Sequence, residues 1–392
     1  MLISIKILIF VQYFFRVRAF VAIAGVKVTT FEPKISYFWI FSKIINNNFS
    51  MDISPAPLNV LITGAAGYLG GMVLRKLYPD FVNKSINTLI ATDLRPLAAD
   101  TTAALTGIGF VSADIRDKAA MSKIIAEHNI TTIVHLAAII DSTSLPEQTQ
   151  YEIDVTATRQ LLDIAIAHKV SRIIISSSGA AYGYYPDNPQ WLCESDAIRG
   201  NDVFLYSRHK RMVEEILADY RQKAPQLQQI VFRVGTILGA NTDNLITRLF
   251  DRKRILGVRG FASPFVFIWD EDAAQAFRQA VFSSTTGIFN LAADGALRNA
   301  DIAQLMDKSY LALPAFLLRL FLRVGYALRL SQYSADQLLY IQYRPVLNNY
   351  HLKEEFGFTP TKTTLQTFCF FLQSRGITPK NLDEVQPLMP EG

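Results

Sequence analysis

The chain has 392 residues, half of them hydrophobic, enough for about two to three domains' worth of structure. Its formal charge of +5 is uneven: residues 1–50 hold Lys6, Arg16, Arg18, Lys27, Lys34 and Lys43 against the acid Glu32, and subtracting these from totals of 39 and 34 leaves 33 of each sign for the rest. A neutral body argues against nucleic-acid binding. Two distant cysteines, Cys193 and Cys369, give neither a disulfide framework nor a zinc pattern and favour a reducing, cytoplasmic compartment.

Residues 1–15 are strongly apolar, and Arg16 and Arg18 then break the run. The run is too short for a spanning helix, and its charges follow the apolar stretch, the wrong order for a signal peptide. A surface-lying membrane anchor is one reading. The favoured one is that residues 1–50, crowded with Ile, Phe, Lys and Asn, are upstream sequence and that the chain starts at Met51.

From Leu58 strands and helices alternate. Apolar runs fall at Asn59–Thr63, 88–92, Gly109–Ser112, 132–136, 172–176 and 229–233, and helical periodicity at 70–77, 118–128, 149–168 and 204–222. Continuous apolar strands separated by helices predict a parallel sheet covered on both faces, hence a doubly wound α/β fold. After about residue 240 the pattern predicts a smaller, mainly helical lobe: helices over 244–256, 272–282 and 299–308 and a short strand at Gly287–Leu291. Residues 311–330 are apolar but carry Arg319, Arg323 and Arg329, which disfavours a membrane span. A helix packed in the lobe with its arginines turned outward is preferred over membrane-surface contact. The expected organisation is an N-terminal extension (1–50), a nucleotide-binding domain (57–240), a substrate lobe (241–375) and a tail (376–392).

The first strand runs into Thr63-Gly-Ala-Ala-Gly-Tyr-Leu-Gly70. Glycines between a strand and a helix allow a tight turn and close approach of a pyrophosphate to the helix N-terminus, so the backbone at Gly64, Gly67, Tyr68, Leu69 and Gly70 is assigned to a dinucleotide. Asp93 ends the second strand 23 residues past Gly70. A carboxylate there accepts both ribose hydroxyls and repels a 2′-phosphate, which favours NAD over NADP, although Arg95 stands two residues on. Asp114 and Ile115 follow the third strand, within reach of an adenine ring; a helix N-cap is an equal alternative for Asp114. Leu136, Ala137 and Ala138 are apolar or small enough for the cofactor to lie against their backbone, and His135 before them reads as a packed structural histidine.

The chemistry is expected at Tyr206-Ser-Arg-His-Lys210, whose Tyr and Lys share one helix face. An ammonium beside a phenol favours the phenolate, which makes a proton shuttle next to a carbinol; Tyr206 and Lys210 are also assigned to the cofactor, Lys210 through the nicotinamide ribose. Ser178, with Ser177 as the alternative, closes the fifth strand and lies 28 residues before Tyr206, placed to polarise the reacting oxygen. Together these predict hydride transfer between a carbinol carbon and a nicotinamide.

The ordered set resembles the extended short-chain dehydrogenase/reductases, the NAD-dependent epimerase/dehydratases: the glycine turn, Asp93, His135–Ala138, Ser176–Gly183, Glu194, Tyr206 with Lys210, Arg233–Gly239, Asp272 and Gly357–Pro360. The resemblance spans about 57–375 and implies a Rossmann domain, a C-terminal substrate lobe and a homodimer formed through a helix pair. It also implies an NAD-dependent enzyme that is commonly active on nucleotide sugars. The substrate half departs from the pattern. Thr236 replaces a substrate-contacting Asn, Asp154 an Asn on the fourth helix, and Phe265 an Arg that commonly clamps a diphosphate. A less anionic substrate, an alcohol or ketone of the 3β-hydroxysteroid kind, therefore stands as the alternative, and a non-catalytic NAD-binding redox sensor as a further one.

Overall fold

The computed structural model describes residues 58–140, 145–327 and 337–390. The expectations for residues 1–50 lie outside these. The first half runs β1 (Asn59–Thr63), α1 (Tyr68–Val82), β2 (Thr88–Asp93), α2 (Ala99–Ala104), β3 (Gly109–Ser112), α3 (Lys118–Glu127) and β4 (Thr132–His135). Then come α4 (Glu147–Tyr151), a π-turn (Glu152–Thr156), α5 (Ala157–Ala167), β5 (Arg172–Ser178), α6 (Leu205–Lys223) and β6 (Gln228–Val234). The second half adds β7 (Thr236–Leu238), α7 (Leu245–Phe250), β8 (Arg254–Val258), β9 (Phe267–Trp269), α8 (Asp270–Phe282) and β10 (Gly287–Leu291). It ends with α9 (Asn299–Leu305), β11 (Ser309–Leu313), α10 (Ala315–Ala327), α11 (Gln337–Gln342), α12 (Tyr350–Glu354) and α13 (Thr364–Ser374).

Seven parallel strands form one sheet in the order β3-β2-β1-β4-β5-β6-β10. Successive side chains on a strand point to opposite faces, and each face has its own core. Val60, Ile62, Val134, Ile174 and Phe232 pack with Leu74 and Leu77 of α1 and Phe277 of α8. Leu61, Ile133, Ile173 and Val231 pack with Ile124, Leu161, Val213 and Leu217 of α3, α5 and α6. The continuous apolar runs are thus buried on both sides, as expected of a doubly wound sheet. The strand order reverses between β1 and β4, the switch point at which such sheets bind ligands beyond their carboxyl ends.

The second half is less purely helical than expected, and it re-enters the sheet through β10. The helix expected over 244–256 stops at Phe250. Lys308 Nζ bonds the carbonyls of Phe250 and Arg252, and residues 254–258 pair as β8 with β11. Residues 311–330 likewise do not make one helix: Pro314 divides β11 from α10. Proline suits a helix start and does not propagate a strand. Leu318 and Leu322 of α10 are partly buried, but Phe316, Leu320, Phe321 and Val324 are exposed alongside Arg319 and Arg323. The expected packing of this helix into the lobe is therefore corrected: the arginines do face outward, and much of the apolar surface does too. The lobe's core is aromatic instead, built from Phe250, Phe265, Phe267, Phe368 and Phe371.

Candidate active site

Gly64 sits at φ +71°, a left-handed backbone favourable to glycine. A Cβ there would lie 2.6 Å from Ala137 N, so β1 and β4 approach backbone to backbone at the switch point. A Cβ on Gly70 would come 2.1 Å from the Gly64 carbonyl oxygen, which shows why the turn can be this tight only with glycine. Gly67 precedes α1 with no side-chain cap, and the first turn of α1 carries no acid. Its N–H groups and dipole are thus open to an anion. Leu69 packs into the core beneath. Tyr68 turns its hydroxyl away, donating to Asp270 Oδ2 at 2.5 Å and accepting from Thr242 Oγ1 at 3.1 Å. Burial and the Asp270 carboxylate raise the Tyr68 pKa, and burial raises that of Asp270.

Asp93 leans over this turn. Its Oδ2 accepts from Ala66 N and its Oδ1 from Arg95 N, each at 3.0 Å, while the Arg95 guanidinium stays exposed, its Nε 3.8 Å from the carboxylate. Asp114 does not cap a helix. Asp117 does so for α3, accepting from Ala120 N, whereas Asp114 accepts from Arg116 N at 2.9 Å and pairs with its guanidinium, which lowers the Asp114 pKa. Ile115 packs partly into the core behind β3. The uncapped helix end, the Cβ-free cradle and the rim carboxylate fit the pyrophosphate and adenosine ribose of a dinucleotide.

Ala137, Ala138, Ser176, Asp154, His135 and Lys210 line one pocket at the carboxyl edge of β4 and β5. His135 is a structural residue, with Nδ1 2.7 Å from Thr63 Oγ1 and Nε2 3.1 Å from Thr158 Oγ1. Burial first, and then the charge of Lys210, lowers its pKa to about 4 and keeps it neutral. Lys210 Nζ donates to the Ser176 carbonyl at 2.8 Å and lies 5.6 Å from the centre of the Tyr206 ring. Ser207 donates to the Ala180 carbonyl at 2.6 Å, which ties the first turn of α6 to the turn after β5. The two serines of that strand end have different roles. Ser177 is buried and donates to Glu214 Oε1 at 2.5 Å, whereas Ser178 Oγ accepts from Ala180 N at 3.1 Å. Beneath them Arg233 pairs in the interior with Glu214 of α6, its Nη2 2.7 Å from Oε2, and also reaches Tyr182 and the Glu194 carbonyl.

Residues 60–292, more than half of the chain, match the model of the NAD dependent epimerase/dehydratase family. The chain belongs to this family. It is an NAD-dependent enzyme. A relative from Mycobacterium tuberculosis strain H37Rv, itself uncharacterised, is 25% identical over 325 residues, covering 82% of this chain and 85% of its own. The UDP-glucose 4-epimerase of Mus musculus is 29% identical over 198 residues, covering 48% of this chain and 56% of its own. Among solved structures, a UDP-glucose 4-epimerase from Thermotoga maritima with UDP-glucose has a TM-score of 0.63 at 17% identity, covering 81% of this chain and 99% of its own. A dTDP-glucose 4,6-dehydratase from Bacillus anthracis in complex with NAD has a TM-score of 0.62 at 17% identity, covering 81% and 96%. These two establish the fold.

In this epimerase/dehydratase the departures in the substrate half have structural counterparts. Phe265 is 1% exposed in the lobe core, but the Arg344 guanidinium lies 3.4 Å from its ring centre and bonds the Ser263 carbonyl at 3.0 Å. A cation thus stands directly over the position where the expected arginine is missing, brought from far along the chain, and its buried Nε has no partner among the described residues. Burial lowers its pKa. Nothing near Arg344 in the sequence marks it. From it a line of rings leads through Tyr340 and Tyr184 to Phe204, two residues before Tyr206. Asp154 lies in the π-turn; its Oδ1 accepts from Ile139 N at 2.9 Å and its Oδ2 lies 2.9 Å from His209 Nδ1. A carboxylate here requires that nitrogen to carry the proton. Asp272 accepts from Thr361 N and Oγ1, both at 2.8 Å, which docks the Gly357–Pro360 turn on α8.

Proposed function

We propose that the enzyme carries out hydride transfer at a carbinol carbon of a nucleotide sugar, with Tyr206, Lys210 and Ser178 as its working groups. The observation that carries this reading is the pair of hydrogen bonds that clamp α6 to the end of β5, Lys210 to Ser176 and Ser207 to Ala180. They tie the helix that carries Tyr206 and Lys210 to the strand end that carries Ser178, which supports the reading. Gly64, Gly67, Tyr68, Leu69 and Gly70 would hold the pyrophosphate of NAD by their backbone, Asp93 its adenosine ribose, Asp114 and Ile115 its adenine, and Leu136, Ala137 and Ala138 would back its inner half. Bound NAD supplies a nicotinamide that accepts and returns the hydride.

Tyr206 takes the substrate hydroxyl proton during oxidation and returns it during reduction. Lys210, its Nζ 5.6 Å from the centre of the Tyr206 ring, supplies positive charge as the phenolate develops and bonds the nicotinamide ribose. Ser178 Oγ already accepts from Ala180 N, so its own proton is available to the reacting oxygen. Arg344 supplies a fixed cation for the anionic end of the substrate. Tyr206→Phe is expected to retain NAD binding in calorimetry and to lose about 10²- to 10⁴-fold in turnover; undiminished turnover would refute the assignment.

The ring line Phe204–Tyr184–Tyr340 favours a second reading, oxidation of an uncharged, apolar alcohol. The nicotinamide absorbance separates the two. An epimerase returns its hydride and leaves the band unchanged at steady state, whereas an alcohol dehydrogenase accumulates NADH. Turnover of UDP-glucose without NADH accumulation supports the first reading; turnover of a sterol or aromatic ketone with net NADH change supports the second.

A further inference from the structure

Helix α10 is apolar around most of its circumference, and four of its large apolar side chains meet solvent. A helix of this composition belongs in a protein interior or against lipid, and a contiguous exposed apolar patch marks an interaction surface. Phe316, Phe321, Leu320 and Val324 are 69%, 63%, 54% and 48% exposed. At about 100° per residue, Phe316, Leu320 and Val324 form one strip, Phe321 widens it on one side, and Arg319 and Arg323 line the other side. Leu318 and Leu322, on the opposite face, are partly buried. Neither arginine has an acidic partner among the described residues. From Lys308 to Ala335 the sequence carries Lys308, Arg319, Arg323 and Arg329 and no acid, the flanking acids being Asp307 and Asp336. No helix among the described residues is long and apolar enough to cross a membrane.

We infer that α10 lies in the surface of an anionic phospholipid membrane, with Phe316, Leu320, Phe321 and Val324 in the acyl boundary and Arg319 and Arg323 at the phosphate level. The one-signed charge decides between occupants. An apolar protein partner or a second copy of the chain has no need of arginines along the border and an acid-free flank, whereas lipid phosphates are matched by both. The stems of the two arginines can lie along the apolar strip while their heads reach the phosphates.

The test uses the full chain and vesicle flotation. The vesicles are phosphatidylcholine alone or phosphatidylcholine mixed with phosphatidylglycerol. The wild-type chain is expected on the mixed vesicles and to be released by salt. Arg319→Gln with Arg323→Gln is expected to weaken that binding by about thirtyfold, and Phe316→Ser with Phe321→Ser to abolish it. All four positions are exposed, and an unchanged NAD-induced thermal shift verifies the fold of each variant. Three results would overturn the inference: no binding of the wild type, equal binding of the variants, or self-association in sedimentation that Phe316→Ser and Phe321→Ser remove in the absence of lipid.

Discussion

His135 shows how one buried side chain ties stability to pH. Burial lowers its pKa from 6.5 to about 4, so the folded state holds it neutral while the unfolded chain takes up a proton. Its contribution is full above pH 6.5 and is lost as pH falls toward 4, with a limiting slope of about 1.4 kcal/mol per pH unit. Urea unfolding across that window is expected to show the loss, and His135→Gln to flatten it; an unchanged slope would reassign the proton uptake to another group. A second residue prediction concerns Gly70. Gly70→Ala places a Cβ 2.1 Å from the Gly64 oxygen, and calorimetry is expected to show NAD affinity at least about tenfold weaker, a change of about 1.4 kcal/mol. The glycines, Asp93, Tyr206 and Lys210 were legible as candidates because their signal is spacing along a local stretch. Arg344 was not, because the position over Phe265 is created by folding and has no local signature. The partnership of Tyr68 with Asp270 was hidden for the same reason, 202 residues separating the two.

Among the elements, α6 carries the proposed catalytic pair Tyr206 and Lys210, and it is tied to the sheet from below by the Glu214–Arg233 pair, whose side chains are 2% and 4% exposed. Glu214→Gln leaves a buried guanidinium without its counter-charge and is expected to cost about 3–5 kcal/mol in urea unfolding. Replacing both partners with apolar residues is expected to cost less, because no lone charge remains. The central strands were readable because burial on both faces leaves a run with few polar residues. Strands β7, β8, β9 and β11 were not, because they lie outside the main sheet in two-stranded pairs, where the extended form depends on the partner. β8 follows the charged stretch Asp251-Arg-Lys-Arg254, where periodicity suggested a longer helix, and it is the pairing of Leu256 with Leu311 and its neighbours that draws it out. Here tertiary pairing outweighs local propensity.

For the whole molecule, the reversal of strand order between β1 and β4 places the glycine turn against the Leu136–Ala137 peptide, so the proposed cofactor site is built from segments that reach their positions only when the sheet is complete. Ligand binding is therefore expected to report on global folding. NAD at 100 times its Kd should add about 2.7 kcal/mol to unfolding, and Tyr206→Phe should show the same gain if the proposed role of its hydroxyl in proton transfer holds. A Tyr206→Phe protein without the gain would place the phenol in the cofactor site itself. The doubly wound class was readable from alternation alone; the return of the chain to the sheet through β10 sets the outer edge and needed the structure.

The hydroxyl of Tyr68 has one more consequence. It joins the first turn of α1 to Asp270 at the head of α8 and to Thr242 just before α7, so the helix proposed to face the pyrophosphate shares a bond with segments of the chain's second half. Thermodynamic reciprocity then applies: whatever factor the substrate adds to NAD affinity, NAD adds to substrate affinity. Tyr68→Phe should bring that common factor closer to one in paired titrations, with each ligand binding nearly as well alone as in company.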